Sequence, residues 1–237
     1  MGNQYFRFKQ FTIHQEKTAM KVGTDGVLLG AWADINRAAR ILDVGTGTGL
    51  IAIMMAQRSG AEIHAIESEK KAYQQARENI NNCPWADRIY LKHISFQEYV
   101  SQFNCYFDLV VSNPPYFINS SSTPKEDRNQ ARHNKTLPHH DLIRGSLKIL
   151  KADGRLSVIM PYSEGHSFIK LAGESGLYCT KKTYVKPTPG KRPKRLLLEF
   201  GRYQRDLIEN QLTIEKGGRH NFTEEYKALT TAFYLYF

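Results

Sequence analysis

The sequence predicts an α/β protein built on one mostly parallel sheet with helices on both faces. Three observations carry that expectation. From Arg40 onward, short β-branched apolar runs alternate with stretches of helical periodicity. The first strong strand runs straight into Asp43-Val44-Gly45-Thr46-Gly47-Thr48-Gly49, a glycine-rich turn that opens a helix. A later strand stops against two prolines, in Asn113-Pro114-Pro115-Tyr116.

Taken in order, strands are expected over residues 40–44, 62–67, 89–94, 108–112 and 155–160. Helices are expected over 48–57, 68–81 and 139–150, with a weaker one over 96–103. Such alternation makes parallel βαβ units. A last crossover helix over 163–175 is followed by two strands, 180–186 and 195–203. They are joined by a loop holding Pro187, Pro189, Gly190 and Pro193. A strand over 211–214 and a helix over 224–234 close the chain, whose Tyr- and Phe-rich end reads as core packing.

The chain has 237 residues, 41% hydrophobic and 24% charged, enough for a single domain with a sizeable core. Residues 1–15 contain no signal-peptide run, and no stretch of about twenty apolar residues suggests a membrane span. Cys83, Cys105 and Cys179 lie far apart and form no CxxC pair. They read as free thiols of a cytoplasmic protein, with no metal site. His139-His140 reads as the start of a helix, without a partner cluster for a metal. The net charge of +10 is concentrated. Lys181, Lys182, Lys186, Lys191, Arg192, Lys194 and Arg195 fall in one stretch free of acids, and without them the remainder carries about +3. A localised basic patch suits a polyanionic partner such as nucleic acid.

Gly45, Gly47 and Gly49 permit positive φ and close approach of a ligand to the backbone. The turn amides and the helix N-terminus are expected to favour an anionic or carboxylate-bearing ligand. A dinucleotide GxGxxG fingerprint would need glycine where Leu50 stands, which disfavours a nicotinamide oxidoreductase. Glu67, closing the next strand, is placed to accept hydrogen bonds from ribose hydroxyls. In Asn113-Pro114-Pro115-Tyr116, the Asn113 side-chain oxygen and the Pro114 carbonyl can accept both N–H groups of a conjugated amino group. Its lone pair then faces an electrophile while Tyr116 stacks on the ring.

These motifs carry a resemblance. Asp43 to Gly49 resembles motif I of class I methyltransferases, and Asn113 to Tyr116 resembles the [DNS]PP[YFW] signature of amino-group methyltransferases. Residues 11–15 and 20–32, with Ala131-Arg132-His133, resemble the tRNA1(Val) adenine-N6 methyltransferases. The resemblance implies a Rossmann-like class I methyltransferase fold, with a seven-stranded sheet and a C-terminal antiparallel hairpin. It implies a single domain, with 1–38 covering the site and 39–237 forming the catalytic core. The donor would be S-adenosyl-L-methionine, held by Asp43, Gly45, Thr46, Gly47, Gly49, Glu67 and Asn113, with no metal. Lys21, Thr24 and Asp25 would close over its methionine end. Asp25 is also expected to cap the helix 27–32. Many such enzymes carry an acid after the third strand to read the adenine. Residues 93–96 have none, so Ser95 or backbone groups are expected to serve there, with Phe96 packing on the ring.

The substrate so implied is tRNA, at the adenine 3′ of the anticodon, position 37. Lys186, Lys191, Arg192, Lys194, Arg132 and His133 would contact it, and no obligate protein partner is evident. Only 42 residues precede Asp43, too few for the helical domain usual in glutamine-N5 methyltransferases. The rival readings are rRNA guanine-N2 or protein glutamine-N5 methylation, and a non-catalytic RNA-binding protein with a vestigial cofactor turn. The segment 119–135 reads as a mobile surface loop or as a lid that orders on RNA.

Overall fold

The computed structural model describes residues 3–18, 20–104, 106–115 and 137–236. In chain order it opens with a short hairpin, β1 (Tyr5–Arg7) and β2 (Thr12–His14), and a helix, α1 (Thr24–Trp32). The alternating core follows: β3 (Arg40–Val44), α2 (Leu50–Arg58), β4 (Glu62–Glu67), α3 (Lys70–Asn81), β5 (Ile89–His93), α4 (Phe96–Val100) and β6 (Phe107–Ser112). After residue 136 come α5 (His139–Ile149), β7 (Leu150–Pro161), α6 (Tyr162–Glu174), β8 (Tyr178–Lys186), β9 (Arg195–Gly201), β10 (Ile208–Thr213) and α7 (Glu224–Thr230).

The main sheet has the order β10-β8-β9-β7-β6-β3-β4-β5. All pairs are parallel except the two made by β9, with β7 and with β8. It thus has eight strands where seven were expected. The closing strand, expected over 211–214, forms over 208–213 as an edge strand parallel to β8, in register from Ile208 opposite Lys181 to Thr213 opposite Lys186. The β1–β2 hairpin was not anticipated. Its strands are three residues each, too short for a period to show. Aromatic packing holds it: Phe8 stacks on Phe11, and Tyr234 stacks on Phe8. Its backbone is tied to α3, since the His14 N–H donates to Asn79 Oδ1 and Asn79 Nδ2 donates to the His14 carbonyl.

Two apolar clusters cover the two faces. One gathers Val27, Leu28 and Leu29 of α1, Ile51 to Met55 of α2 and Ile41, Ile63 and Leu109 of the sheet, with Tyr226 and Phe233 from the C-terminal end. The other gathers Phe96, Tyr99, Leu142, Ile143 and Phe168 against Leu42, Val110, Leu156 and Leu198. Strands buried on both sides read as continuous apolar runs, which is why β3, β6 and β9 were legible in the sequence. No helix of the described residues is long and apolar enough to cross a membrane. Strand directions place the carboxyl ends of β3, β4, β6, β7 and β8 on one edge of the sheet. Ligands of open α/β sheets bind at that edge.

Candidate active site

At this edge β3 hands over to the glycine turn. Gly45, Gly47 and Gly49 have φ of 71°, 57° and 84°, a region costly for residues with a Cβ. Gly49 is the left-handed N-cap of α2, so that helix begins at Leu50 rather than at Thr48. A Cβ at Gly45 or Gly47 would meet no heavy atom within 4 Å, so open space lies over both.

The turn is braced from within. Asp43 is fully buried, and its Oδ2 accepts from Thr46 Oγ1 at 2.6 Å and from the Ala52 N–H at 3.1 Å. It therefore acts on a ligand through the turn it shapes. Thr46 is spent in the same way. The Gly45 and Thr46 amides both donate to the Ile66 carbonyl, Gly49 N–H to the Thr46 carbonyl, and Gly47 N–H to Glu67 Oε2 at 2.9 Å. This corrects one expectation: these amides serve the fold, and what the turn offers a ligand there is open space. Glu67 Oε1 also accepts from the Glu69 N–H at 2.8 Å, so its carboxylate is fixed between the turn and the start of α3.

Burial pushes the Asp43 carboxyl up to about 7, against the pull of the Thr46 and Ala52 hydrogen bonds. The folded protein then holds this proton more tightly than the unfolded chain. Between about pH 4 and about pH 7, stability from this group falls as pH rises, and above that window the loss is constant. Asp43→Asn is expected to flatten the melting temperature against pH in that window. An unaltered profile would show that Asp43 ionises normally in its site.

Beside the turn lies a cavity of about 360 Å³ lined by Val44, Gly45, Ile66, Ser68, Ile94, Ser95, Phe96, Gln97, Glu98 and Leu137. Ser95 is the N-cap of α4, in a capping box with Glu98. Its hydroxyl donates to Glu98 Oε2 at 2.6 Å and accepts from the Glu98 N–H. Ser95 is therefore engaged by its own helix. Phe96 is 4% exposed and packs into the gap left by Gly145 of α5, where an added Cβ would stand 2.3 Å from its ring. Glu98 also lies on the cavity wall, and the Ser-x-x-Glu spacing was the sequence signal for its capping box with Ser95.

β3 and β6 are in register from Ile41 opposite Leu109 to Val44 opposite Ser112, and Ser112 Oγ donates to the Val44 carbonyl. Asn113 and Gly45 therefore leave the sheet side by side. Asn113 and Pro115 are half-buried and Pro114 is buried. Tyr116, Arg132, His133 and the segment 119–135 lie outside the described residues, apart from which the motif keeps its expected place.

α1 approaches the turn from the other side. A Cβ at Gly26 would lie 3.1 Å from Leu50 Cδ2, so the first turns of α1 and α2 touch. Lys21 and Thr24 are exposed at this end. Asp25 is not the cap. Gly23 occupies that position without a side-chain bond, and Asp25 is already helical, in the first turn. Its carboxylate accepts from Arg195 Nε at 2.8 Å.

The basic stretch is divided by its partners. Lys182 is buried and paired with Glu209 at 2.6 Å, Lys181 lies 4.6 Å over the Trp32 ring, and Arg195 holds Asp25. Lys191, Arg192 and Lys194 are exposed on the loop that joins β8 to β9, and the half-buried Lys186 ends β8 beside it, at the same edge as the glycine turn. Among the described residues no group of three or more His, Cys, Asp or Glu is placed to hold a metal ion.

The family model for the methyltransferase small domain matches residues 23–174. The chain belongs to this family. Relatives agree along the whole length of this methyltransferase small-domain protein. One, from Parabacteroides distasonis, is 48% identical over 99% of each chain. Another, from Flavobacterium psychrophilum, is 47% identical over 97% of this chain and 99% of its own. Both are named tRNA1(Val) (adenine(37)-N6)-methyltransferase. A solved structure described as a predicted O-methyltransferase from Agrobacterium tumefaciens superposes with a TM-score of 0.72. It is 24% identical over 88% of this chain and 96% of its own, a likeness of fold alone. The ribosomal protein L11 methylase of Lactobacillus delbrueckii subsp. bulgaricus gives 0.53 at 19% identity, over 76% and 77% of the two chains. The matched segment contains the glycine turn, Glu67, the cavity wall and Asn113, so the α/β class I methyltransferase fold and the site belong to the same stretch.

Proposed function

We propose that this protein transfers a methyl group from S-adenosyl-L-methionine to the N6 nitrogen of an adenine in tRNA, at position 37 beside the anticodon of tRNA1(Val). The observation that carries the reading is Asn113-Pro114 leaving β6 beside Gly45, in a chain whose full-length relatives bear that name. The residues present suit the donor. Open space over Gly45 and Gly47 takes a flat ligand, Glu67 supplies a fixed acceptor for ribose hydroxyls, and the cavity walled by Ile66, Ile94 and Glu98 takes the base. Lys21, Thr24 and Asp25 cover the methionine end as part of the 1–38 segment, and 39–237 forms the catalytic core.

When bound, the donor supplies an electrophilic sulfonium methyl. The Asn113 side-chain oxygen and the Pro114 carbonyl accept the two N–H groups of the adenine amine, which turns its lone pair toward that methyl. Tyr116 stacks on the base and holds the line of attack. Rate enhancement then comes from positioning and preorganised dipoles, with no strong base needed before attack. As the new N–C bond forms, the S–C bond breaks, with the neutral thioether S-adenosylhomocysteine as leaving group, and the nitrogen then sheds its proton to water. An anticodon-loop adenine is already partly unstacked, so presenting it costs little. Lys186, Lys191, Arg192 and Lys194 receive the backbone phosphates, with Arg132 and His133.

The test incubates the protein with methyl-labelled donor and fractionated tRNA, rRNA and protein, then identifies the product by mass spectrometry. N6-methyladenosine in tRNA is expected. Label in guanine N2 or protein glutamine, or none in RNA, would overturn the reading. Reversing charge at Lys191, Arg192 and Lys194 is expected to raise the RNA KM about tenfold or more and to flatten its dependence on salt. An unchanged KM would remove the loop from the RNA interface.

A further inference from the structure

The loop that carries the exposed cations ends at Arg195, and Arg195 reaches across the site edge to the helix that abuts the glycine turn. The two residues are 170 positions apart in the chain, and their side chains are 32% and 23% exposed. Arg195 opens β9, where its backbone is opposite both Pro161 of β7 and Val185 of β8. Its Nη1 donates to the Lys194 carbonyl at 3.0 Å. That carbonyl also accepts from the Tyr162 N–H, and the Lys194 N–H donates to the Val185 carbonyl. One guanidinium therefore touches the last residue of the basic loop and the first turn of α1.

The first turn of α1 starts without a side-chain cap hydrogen bond. Its N-cap, Gly23, offers no side chain, and its inner face is held by the approach of Gly26 to Leu50. Asp25 stands in this turn, where the helix dipole favours an anion and where Arg195 supplies the counter-charge. Lys21 and Thr24, proposed to cover the donor, belong to the same short stretch. The backbone of Lys194 and Arg195 is already held at the sheet edge, so a phosphate seated on Lys194 would bear on the residue whose carbonyl the guanidinium grips, and through it on the first turn of α1.

We infer that Arg195 is a positioning residue that couples RNA docking to closure over the methyl donor. The inference rests on the function proposed above, and it assigns Arg195 no contact with either substrate. Coupling between two sites is reciprocal, so bound donor tightens RNA by the same factor as bound RNA tightens donor.

The experiment measures the Kd of S-adenosylhomocysteine by calorimetry, alone and with saturating tRNA. This non-reacting product prevents turnover. In the wild type, tRNA is expected to tighten it about tenfold, within the usual range for coupled sites. In Arg195→Ala each binary affinity should stay within about threefold of wild type while the tightening by tRNA drops to about one, and Arg195→Lys should recover part of it. Asp25→Asn should lower donor affinity by itself, because Asp25 covers the donor, but the tightening by tRNA should vanish in it as well, and the double variant should lose no more of that tightening than either single one. Melting temperatures verify that each variant is folded. Should Arg195→Ala not fold, Arg195→Lys and Asp25→Asn complete the comparison. Undiminished coupling in Arg195→Ala would overturn the inference. So would an equal loss of donor affinity with and without tRNA, which marks a brace of the fold only. A wild type that binds tRNA without coupling overturns the inference and leaves the proposed function standing. A wild type that binds no tRNA overturns both.

Discussion

Asn113→Ala is expected to lower turnover about a thousandfold while donor affinity stays within about threefold, the size of effect seen when one preorganised polar group is removed from a reaction centre. The adenine amino nitrogen is a poor nucleophile because its lone pair is shared with the ring. Two acceptors are needed to draw its hydrogens aside, and the Pro114 carbonyl alone cannot orient both. The alanine removes the side-chain oxygen but leaves the turn, because Pro114 and Pro115 still end β6 and Ser112 Oγ still holds the Val44 carbonyl. Single-turnover rates and donor calorimetry on the same variant separate the outcomes. Loss of donor binding in step with rate would show that Asn113 belongs to the donor pocket instead.

Glu67→Ala should act on the other partner. Its carboxylate is already fixed by the Gly47 and Glu69 amides, so it meets a ribose without reorganising. Each charge-assisted hydrogen bond is worth about 1.5–3 kcal/mol. Losing two costs about 3 kcal/mol or more, which is a rise in donor Kd of about a hundredfold. The alanine also leaves the Gly47 N–H without its acceptor and slackens the turn. Calorimetry with the donor reads the effect. A Kd within threefold of wild type would move the ribose away from Glu67.

These two residues were legible in the sequence because their signals are local. A strand that runs into prolines, and an acid that closes the strand after a glycine turn, declare their places within a few residues. The same holds for the βαβ alternation. Where the reading missed, the cause was distance or brevity. The strands of the β1–β2 hairpin span three residues each and depend on aromatic contacts with Tyr234, at the far end of the chain. Ser95 was expected at the cavity and does line it, and its further role as a helix cap was marked by the glutamate three residues later.

The glycine turn and Asn113-Pro114-Pro115-Tyr116 were therefore settled by the sequence as motifs, together with the parallel α/β core between them. Turn chemistry and apolar period act between near neighbours, so one strand of text contains them. Tertiary structure alone decided which of the charged groups are available. It buried Asp43 as a brace, paired Lys182 with Glu209, and laid Lys181 over Trp32. It also joined Arg195 to Asp25 across 170 residues. A charge in a sequence has no partner until folding brings one within about 4 Å, and that partner determines whether it holds the fold or faces a ligand.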